Sequence, residues 1–348
     1  MADVEKFMSV SAGDIEKIMG VAVGDIEAVM GLGVVTGIAW AGGRHIMGGN
    51  SVTVSKREID YKSSTSDSNS ADWGDLVYGG FSPRGTGTGV DSTKGLVGSR
   101  YGISTNIDDY DVLTNSSLGT IAKGGDLVPD SVSGYGMSNG TLMFFAGGST
   151  SGGYTEDMDY ITIASLGGSQ DAGNIDTPLR KGGSCSGDTR GGRFGGSTGL
   201  SGDGYANYTI VTADYITFHT TNDAYEFGTL SNKEFVSSSC ASTTRWVHKT
   251  SNDYTAATGH ILYERMDYWA ADTGGTAGNF GNIVDVSRGT SAMADGTRGE
   301  WWGGEDESDN VIDQIAYITI ATTNDATDVG NLHHGINKAE AAGLSGSA

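Results

Sequence analysis

Short apolar segments that end in tyrosine recur along this chain at intervals of about 50 residues. Apolar and polar residues alternate within each segment, as in "DMDYITIA", where Ile161 and Ile163 lie on the face opposite Tyr160. A period of two is typical of a β-strand with one buried face. The six tyrosines are Tyr61, Tyr110, Tyr160, Tyr215, Tyr268 and Tyr317. The pattern therefore predicts six repeated units, each with one tyrosine-bearing strand.

Three further segments complete each unit. A glycine motif follows the tyrosine, and in five of the six units its glycine lies 13 residues downstream: Gly74, Gly125, Gly173, Gly228, Gly281 and Gly330. Next comes a strand of small residues with one larger apolar residue at its centre: Val90, Met137, Cys185, Cys240, Met293 and Leu344. The last segment is aromatic or apolar and often ends in Gly-Gly, at 42–43, 147–148, 195–196 and 303–304 but not near Gly98 or His248.

Six units of four short strands predict an all-β fold, a six-bladed β-propeller over residues 34–348. Glycine suits this architecture because the inner strands crowd around a central channel and tight turns join the strands. The chain enters the propeller at the segment near Trp40 and leaves it at the small-residue strand near Leu344. We therefore expect N- and C-terminal strands to pair within one blade, which seals two edges that would otherwise stay open.

Residues 1–33 contain a different repeat, with a period of 11 residues. Each repeat predicts a short helix that starts at Asp3, Asp14 or Asp25, where a carboxylate caps free backbone N–H groups. Apolar residues fall at positions i, i+3 and i+4 of each repeat: Val4, Phe7, Met8, Ile15, Ile18, Met19, Ile26, Val29 and Met30. Helices this short do not persist alone in water, so their apolar stripe must dock on a surface. That surface is either the chain's own propeller or another protein, and we favour another protein because the segment is unlike the rest of the chain.

The charge of the chain narrows the classes of partner. Its formal net charge is −22, which disfavours nucleic acid because phosphate contacts need Lys and Arg. The N-terminus has acidic residues where a secretion signal has a basic region followed by an apolar one. The longest weakly polar run, Ala28–Trp40, is too short and too rich in glycine to span a bilayer. We expect neither nucleic-acid binding nor membrane insertion.

Catalytic and metal-binding chemistry is not indicated. Catalysis needs titratable residues that converge and depart from the repeat, and the six histidines suggest no metal cage. Cys185 and Cys240 fall at equivalent repeat positions, which predicts two buried free thiols. The acidic segments 65–75 and 303–310 lack the spacing of a known calcium loop, and we interpret them as solvated turns. The sequence thus predicts a protein that is not an enzyme and needs no cofactor.

Tryptophans are the candidate ligand-binding residues. Trp301 and Trp302 are adjacent on one strand, so they face opposite sides, and we expect one of the two to be exposed. Exposed aromatic rings often bind sugars or protein partners. We select Trp246, Trp269 and Trp301 as candidate ligand-binding aromatics.

Two resemblances bear on function. The segments "FFAGG", "DMDYITIA" and "EFGTL" match the order of segments in kelch repeats, with outer aromatics at Trp73, Phe227 and Phe280. The segments "DYITIASLGGSQDAGN" and "AYITIATTNDATDVGN", together with the leader "GDIEKIMGVAVGDIEAVMGL", resemble virion structural proteins of tailed phages of marine and cyanobacterial hosts.

This resemblance implies a non-enzymatic virion protein that is made in the host cytoplasm and displays its propeller as decoration, fibre head or baseplate component. Residues 1–31 would anchor it to other virion proteins. The alternative is a carbohydrate-binding propeller that attaches to host glycans. Whether the chain forms a homo-oligomer stays open.

Overall fold

The structure is a computed structural model that describes residues 43–48, 58–76, 88–90, 94–98, 100–101, 106–107, 109–114, 122–127, 131, 133–151, 153–187, 189–198, 209–218, 220, 222–234, 236–255, 259–333 and 342–346. Every regular element in these residues is a β-strand. The predicted helical anchor, residues 1–33, lies outside the described residues.

Six sheets, here called blades 1 to 6, contain most of the strands. Blade 1 consists of β1 (Arg44–Gly48), β2 (Glu58–Ser63), β3 (Ala71–Asp75) and the last strand, β31 (Ala342–Gly346). Blade 2 consists of β4 (Thr88–Val90), β5 (Lys94–Val97), β8 (Asp109–Thr114) and β9 (Ala122–Asp126). Blade 3 consists of β10 (Tyr135–Ser138), β11 (Leu142–Ala146), β14 (Asp157–Thr162) and β15 (Gln170–Asn174).

The remaining blades follow the same order. Blade 4 consists of β16 (Gly183–Ser186), β17 (Arg190–Phe194), β18 (Ile210–Thr217) and β19 (Tyr225–Glu234), with β25 (Gly275–Thr276) added in parallel at its edge. Blade 5 consists of β20 (Ser238–Ala241), β21 (Arg245–Lys249), β24 (Arg265–Ala270) and β26 (Gly278–Asn282). Blade 6 consists of β27 (Ser291–Ala294), β28 (Arg298–Trp302), β29 (Gln314–Thr319) and β30 (Thr327–Asn331).

The inner strands close into a ring. β31, β4, β10, β16, β20 and β27 each contact the next in that order, and β27 contacts β31 again. The six predicted apolar centres, from Val90 to Leu344, lie on these six strands. The fold is therefore a six-bladed β-propeller, as the repeat predicts.

Blade 1 is completed by both ends of the described chain. β1 pairs antiparallel with β31, and Ile46 lies opposite Leu344. The predicted closure is confirmed, but the repeat position assigned to the Gly-Gly pair at 42–43 is wrong. Gly42-Gly43 precedes β1, whereas the Gly-Gly pairs of blades 3, 4 and 6 follow their second strands. The segment around Trp40 lies outside the described residues.

The repeated tyrosines occupy one position of the third strand in five blades. Tyr61, Tyr160, Tyr215, Tyr268 and Tyr317 lie opposite the central residue of the second strand. In blade 2 this position is Val112, opposite Leu96, so the assignment of Tyr110 to the repeat is wrong. Tyr110 is fully buried two positions earlier, where a Cβ on Gly124 would overlap its ring. Val112 restores the 13-residue spacing to Gly125 that Tyr110 breaks.

Arginine at the start of the second strand stacks on this tyrosine. The guanidinium carbon lies within 6 Å of the ring centroid, the range of a cation–π contact, in four blades. The pairs are Arg44–Tyr61 at 5.2 Å, Arg190–Tyr215 at 4.5 Å, Arg245–Tyr268 at 4.8 Å and Arg298–Tyr317 at 3.8 Å. The repeat thus conserves a packing contact between neighbouring strands of one sheet.

The predicted glycine motif forms a β-bulge. The register between third and fourth strands shifts in all six blades. Gly74, Gly173, Gly281 and Gly330 lie there with positive φ. The bulge places the next residue against the following blade: Asn282 N–H donates to Asp325 Oδ1 at 2.8 Å, and Ala326 N–H donates to Asn282 O at 2.8 Å. Asn174 and Asn331 make equivalent exchanges, so the outer edges of these blades are linked by hydrogen bonds.

Candidate functional site

The longer connections gather at one end of the blades, here called the upper face. Connections from second to third strands and from fourth strands to the next blade both lie at this end, because neighbouring strands are antiparallel. Three of these connections carry extra two-stranded hairpins: β6 (Arg100–Tyr101) with β7 (Asn106–Ile107), β12 (Ser149–Thr150) with β13 (Gly153–Tyr154), and β22 (Asn252–Thr255) with β23 (Gly259–Leu262). The upper face therefore differs most between blades.

A chain of backbone hydrogen bonds connects blades 3 to 6 at the upper face. It links residues with positive φ that precede the inner strands of blades 3 to 6: Ser133, Lys181, Val236 and Gly289. Lys181 N–H donates to Ser133 O at 3.1 Å, Val236 N–H donates to Lys181 O, and Gly289 N–H donates to Val236 O at 3.0 Å. Val236 is β-branched, and a β-branched residue with positive φ is strained. The hydrogen bonds to the neighbouring blades hold it in this conformation.

A buried polar cluster that departs from the repeat lies between blades 4 and 5. His248 Nδ1 lies 2.7 Å from Ser239 Oγ, and His248 Nε2 contacts Glu234 Oε1. Glu234 Oε2 accepts a hydrogen bond from the N–H of Ser251 at 2.8 Å. The positions equivalent to His248 in the other blades carry Met47, Val97, Phe145, Arg193 and Trp301. Sequence reasoning missed this cluster, although its departure from the repeat is visible in the aligned segments.

Lys249 extends the same cluster. It occupies a position held by Gly48 and Trp302 in other blades, and Thr250-Ser251 stands where blades 3, 4 and 6 have Gly-Gly. Its ammonium is fully buried and donates to the backbone oxygen of Ser287. Burial lowers the pKa of Lys249 to about 7, although the nearby Glu234 raises it. The cluster thus holds blade 4, blade 5 and the segment that leads into blade 6.

The Ser239–His248–Glu234 order is that of a catalytic triad, but the geometry leaves no place for a substrate. His248 and Glu234 are 0 % exposed and Ser239 is 5 % exposed. Gly183 of blade 4 packs over them so closely that a Cβ there would lie 2.5 Å from Ser239 Oγ. A nucleophile needs a reacting atom about 3 Å away. We therefore interpret the cluster as a polar bridge between blades.

A second buried cluster joins blade 6 to blade 1. The Glu300 carboxylate accepts hydrogen bonds from His45 Nδ1 at 2.7 Å, Lys62 Nζ at 2.6 Å, Arg298 Nε at 2.7 Å and Trp302 Nε1 at 2.9 Å. Burial opposes ionisation of this carboxyl, but the contacts with His45 and Lys62 outweigh it and lower the pKa of Glu300 to about 2. The closing seam of the ring is thus fixed by a buried ionised carboxylate.

The candidate tryptophans lie in the core. Trp246, Trp269 and Trp301 are 0 %, 3 % and 1 % exposed, so none offers a ring at the surface. Trp302 is also buried, so the expected exposure of one member of the Trp301–Trp302 pair is not observed. The physical reason is the small size of neighbouring positions. A Cβ on Gly192 of blade 4, for example, would lie 2.8 Å from the Trp246 ring.

An exposed aromatic ring lies elsewhere. Tyr225, the first residue of β19, is 49 % exposed, and among the described residues Val284 at 39 % is the other large apolar side chain in this class. The Tyr225 ring lies 5.6 Å from the Tyr215 ring at an interplanar angle of 31°. Sequence reasoning missed Tyr225 because it considered tryptophan first and Tyr225 stands outside the tyrosine repeat.

The cysteine prediction is confirmed. Cys185 and Cys240 are free and buried, and burial raises the pKa of both thiols. In the part of the chain that the structure describes, no group of three His, Cys, Asp or Glu side chains is arranged to hold a metal ion. No helix among the described residues is long and apolar enough to cross a membrane.

The acidic segment 303–310 is an internally bonded turn. Asp306 Oδ1 accepts hydrogen bonds from the N–H groups of Ser308 and Asn310, both at 2.8 Å. Arg288 contacts Glu305 and Asp309 at its flank. These carboxylates are therefore used as hydrogen-bond acceptors of the turn itself.

The nine apolar residues of the predicted anchor, Val4 to Met30, lie outside the described residues. No protein-family model matches this chain, and no curated protein matches it.

Proposed function

We propose that this chain is a non-enzymatic virion structural protein of a tailed phage. Residues 1–31 attach it to other virion proteins, and the kelch-like propeller is displayed outward as a decoration, fibre or baseplate component. The observation that carries the proposal is the use of the buried ionisable groups. Glu300, Lys62, Glu234 and His248 bridge adjacent blades instead of facing a cleft.

Buried charged groups that bridge the blades favour a structural role over catalysis. Polar groups committed to contacts between blades make opening of the ring costly, because each leaves a buried partner unpaired. An enzyme keeps such groups available to a substrate. A component exposed on a particle gains from a ring that stays closed, and a net charge of −22 keeps its surface soluble.

Labelling of purified particles tests the proposal. An antibody raised against the propeller is used in immunogold microscopy of virions from the culture that carries the gene. We expect gold at one defined site on each particle, and a chain that lacks residues 1–31 should stay folded but no longer co-purify with the particle. Recovery of the full chain only in the soluble lysate fraction would overturn the virion role, and incorporation of the truncated chain would overturn the anchor.

The alternative function, a carbohydrate-binding propeller for host attachment, is favoured by one observation. The tryptophans selected from the sequence are buried, but the Tyr225 ring is exposed on one side and packs against the Tyr215 ring on the other. A binding role at this ring is compatible with a place on a virion.

A further inference from the structure

Tyr225 breaks the repeat at a defined position. The repeat tyrosine of each third strand, or Val112 in blade 2, pairs with the first residue of the fourth strand. These partners are Ala71, Ala122, Gln170, Tyr225, Gly278 and Thr327. Blade 4 alone among these six pairs carries an aromatic residue there. Tyr225 is 49 % exposed, so it gains only part of the stabilisation of full burial and keeps one side open to a ligand.

The ring is held in place from below. Tyr225 faces the Tyr215 ring at 5.6 Å, and the Arg190 guanidinium carbon lies 4.5 Å from the Tyr215 centroid. Phe227 meets Tyr215 edge-on at 6.0 Å. Tyr225 thus belongs to an ordered stack, so a ligand that binds its open side need not order the ring at a cost in conformational entropy.

A turn of blade 5 flanks this stack. Arg190 Nη1 donates to the backbone oxygen of Asp272 at 3.3 Å. The turn packs on the outer strand of blade 4, because a Cβ on Gly274 would lie 1.7 Å from Phe227 O. The backbone oxygens of Asp272 and Gly275 accept hydrogen bonds from Arg190 Nη1 and Trp269 Nε1. Residues 272–275 are all exposed, so the Asp272 carboxylate is accessible to a ligand. We call Arg190, Tyr215, Tyr225 and residues 272–275 the Tyr225 platform.

We propose that the Tyr225 platform binds a neutral pyranose sugar. One face of a pyranose ring is a flat array of C–H groups that packs on an aromatic ring, and its rim carries hydroxyls that need hydrogen-bond partners. Tyr225 supplies the ring, and the exposed Asp272 supplies a carboxylate acceptor. The Glu226 and Asp272 side chains are exposed, and the chain has a net charge of −22. The one cation of the platform, Arg190, already contacts the Tyr215 ring and the Asp272 carbonyl oxygen. The exposed carboxylates repel sialylated or sulfated sugars, so the sugar is uncharged.

The test uses the full chain, displayed in multiple copies, on an array of neutral, sialylated and sulfated oligosaccharides. We expect binding to neutral glycans, and the Tyr225→Ala variant should lose at least about tenfold in apparent affinity through loss of the stacking face. Tyr225→Phe keeps the ring and should stay within about threefold of the parent. Val284→Ala, which shortens an exposed apolar side chain away from the platform, is the matched control and should bind as the parent does.

Thermal unfolding is measured alongside. Tyr225→Ala loses a ring contact with Tyr215 worth about 1 kcal/mol, so its unfolding midpoint should fall by only a few degrees, and the other two variants should keep the parent's midpoint. Failure to bind any neutral glycan, a preference for charged glycans, or equal binding by Tyr225→Ala would overturn the proposal. Binding to cells after periodate destruction of their sugars, if it still depends on Tyr225, would assign the platform to a protein partner and would overturn it as well.

This proposal goes beyond the virion role and is separable from it. A chain that is absent from particles but binds neutral glycans through Tyr225 would remove only the virion role. A labelled particle with a chain that binds no glycan would remove only the platform.

Discussion

The Lys62 ammonium lies 2.6 Å from a Glu300 carboxylate oxygen, although 238 residues separate them in the chain. Lys62 belongs to the first blade and Glu300 to the last, so this contact crosses the seam at which the ring closes. The second carboxylate oxygen accepts a hydrogen bond from His45, also of blade 1. Closure of the ring therefore depends on buried charge as well as on the pairing of β1 with β31.

Replacement of Glu300 should weaken the fold in a pH-dependent way. The pKa of Glu300 is lowered from 4.5 to about 2, so its stabilisation is present above pH 4.5 and is lost as the pH falls from 4.5 towards 2. A difference of this size is worth about 3 kcal/mol at neutral pH. We expect Glu300→Gln to lower the free energy of unfolding in urea at pH 7 and to flatten its dependence on pH below 4.5. The exposed Glu307→Gln is the control, and equal effects of the two variants would contradict the prediction.

Lys249 should give the opposite dependence on pH. Its pKa falls from 10.5 in a solvated chain to about 7 in the fold, so between these values the unfolded state binds more protons. Stability should therefore rise as the pH increases from about 7 to 10. Lys249→Met removes the buried charge, and we expect higher stability at pH 7 and a shallower rise above it. Lys233→Met changes an exposed lysine for comparison, and an unchanged slope in Lys249→Met would show the prediction to be wrong.

Gly281 should be intolerant of a side chain. It has φ +149°, and a Cβ there would lie 2.2 Å from the backbone oxygen of Asn324 in the next blade. We expect Gly281→Ala to lower the free energy of unfolding by about 1 to 3 kcal/mol. Gly167→Ala, where a Cβ would meet nothing within 4 Å, should change it by less than about 0.5 kcal/mol. Chemical denaturation measures both, and equal values would exclude strain at the bulge.

The two thiols should react only after unfolding. Cys185 and Cys240 are free and buried, and burial raises the pKa of both, which keeps them protonated. A thiol reagent should count two thiols in the denatured, unreduced protein and react far more slowly with the native protein. Fewer than two thiols after denaturation would indicate a disulfide and contradict the structure.

The architecture was predictable because it is repetitive. A period of about 50 residues fixes the number of blades, and the phase of the repeat indicates that β31 closes blade 1. The prediction failed in blade 2, where a local sequence resembles the tyrosine motif but does not occupy its position in the repeat. In "IDDY" the tyrosine matches by eye, but the structure places Val112 at the repeat position because the ladder to Leu96 sets the register.

The candidate sites were less predictable because their partners are distant in sequence. No local pattern in the sequence relates His45 to Glu300. The burial of Trp246 depends on close packing against Gly192 in the neighbouring blade. Aromatic residues on adjacent strands look alike in sequence whether they face a gap between blades or solvent. An alignment of the six fourth strands would have selected Tyr225, because it is the first residue of β19 and the first residues of the other five are not aromatic.

The pairing of β1 with β31 also sets a condition on synthesis. While the ribosome translates the chain, β1 has no partner on its inner side until residue 346 has emerged from the exit tunnel. A product truncated before β31 keeps an unpaired strand edge, the type of surface on which chaperones and proteases act. The propeller can therefore pair β1 on both sides only after β31 has been translated.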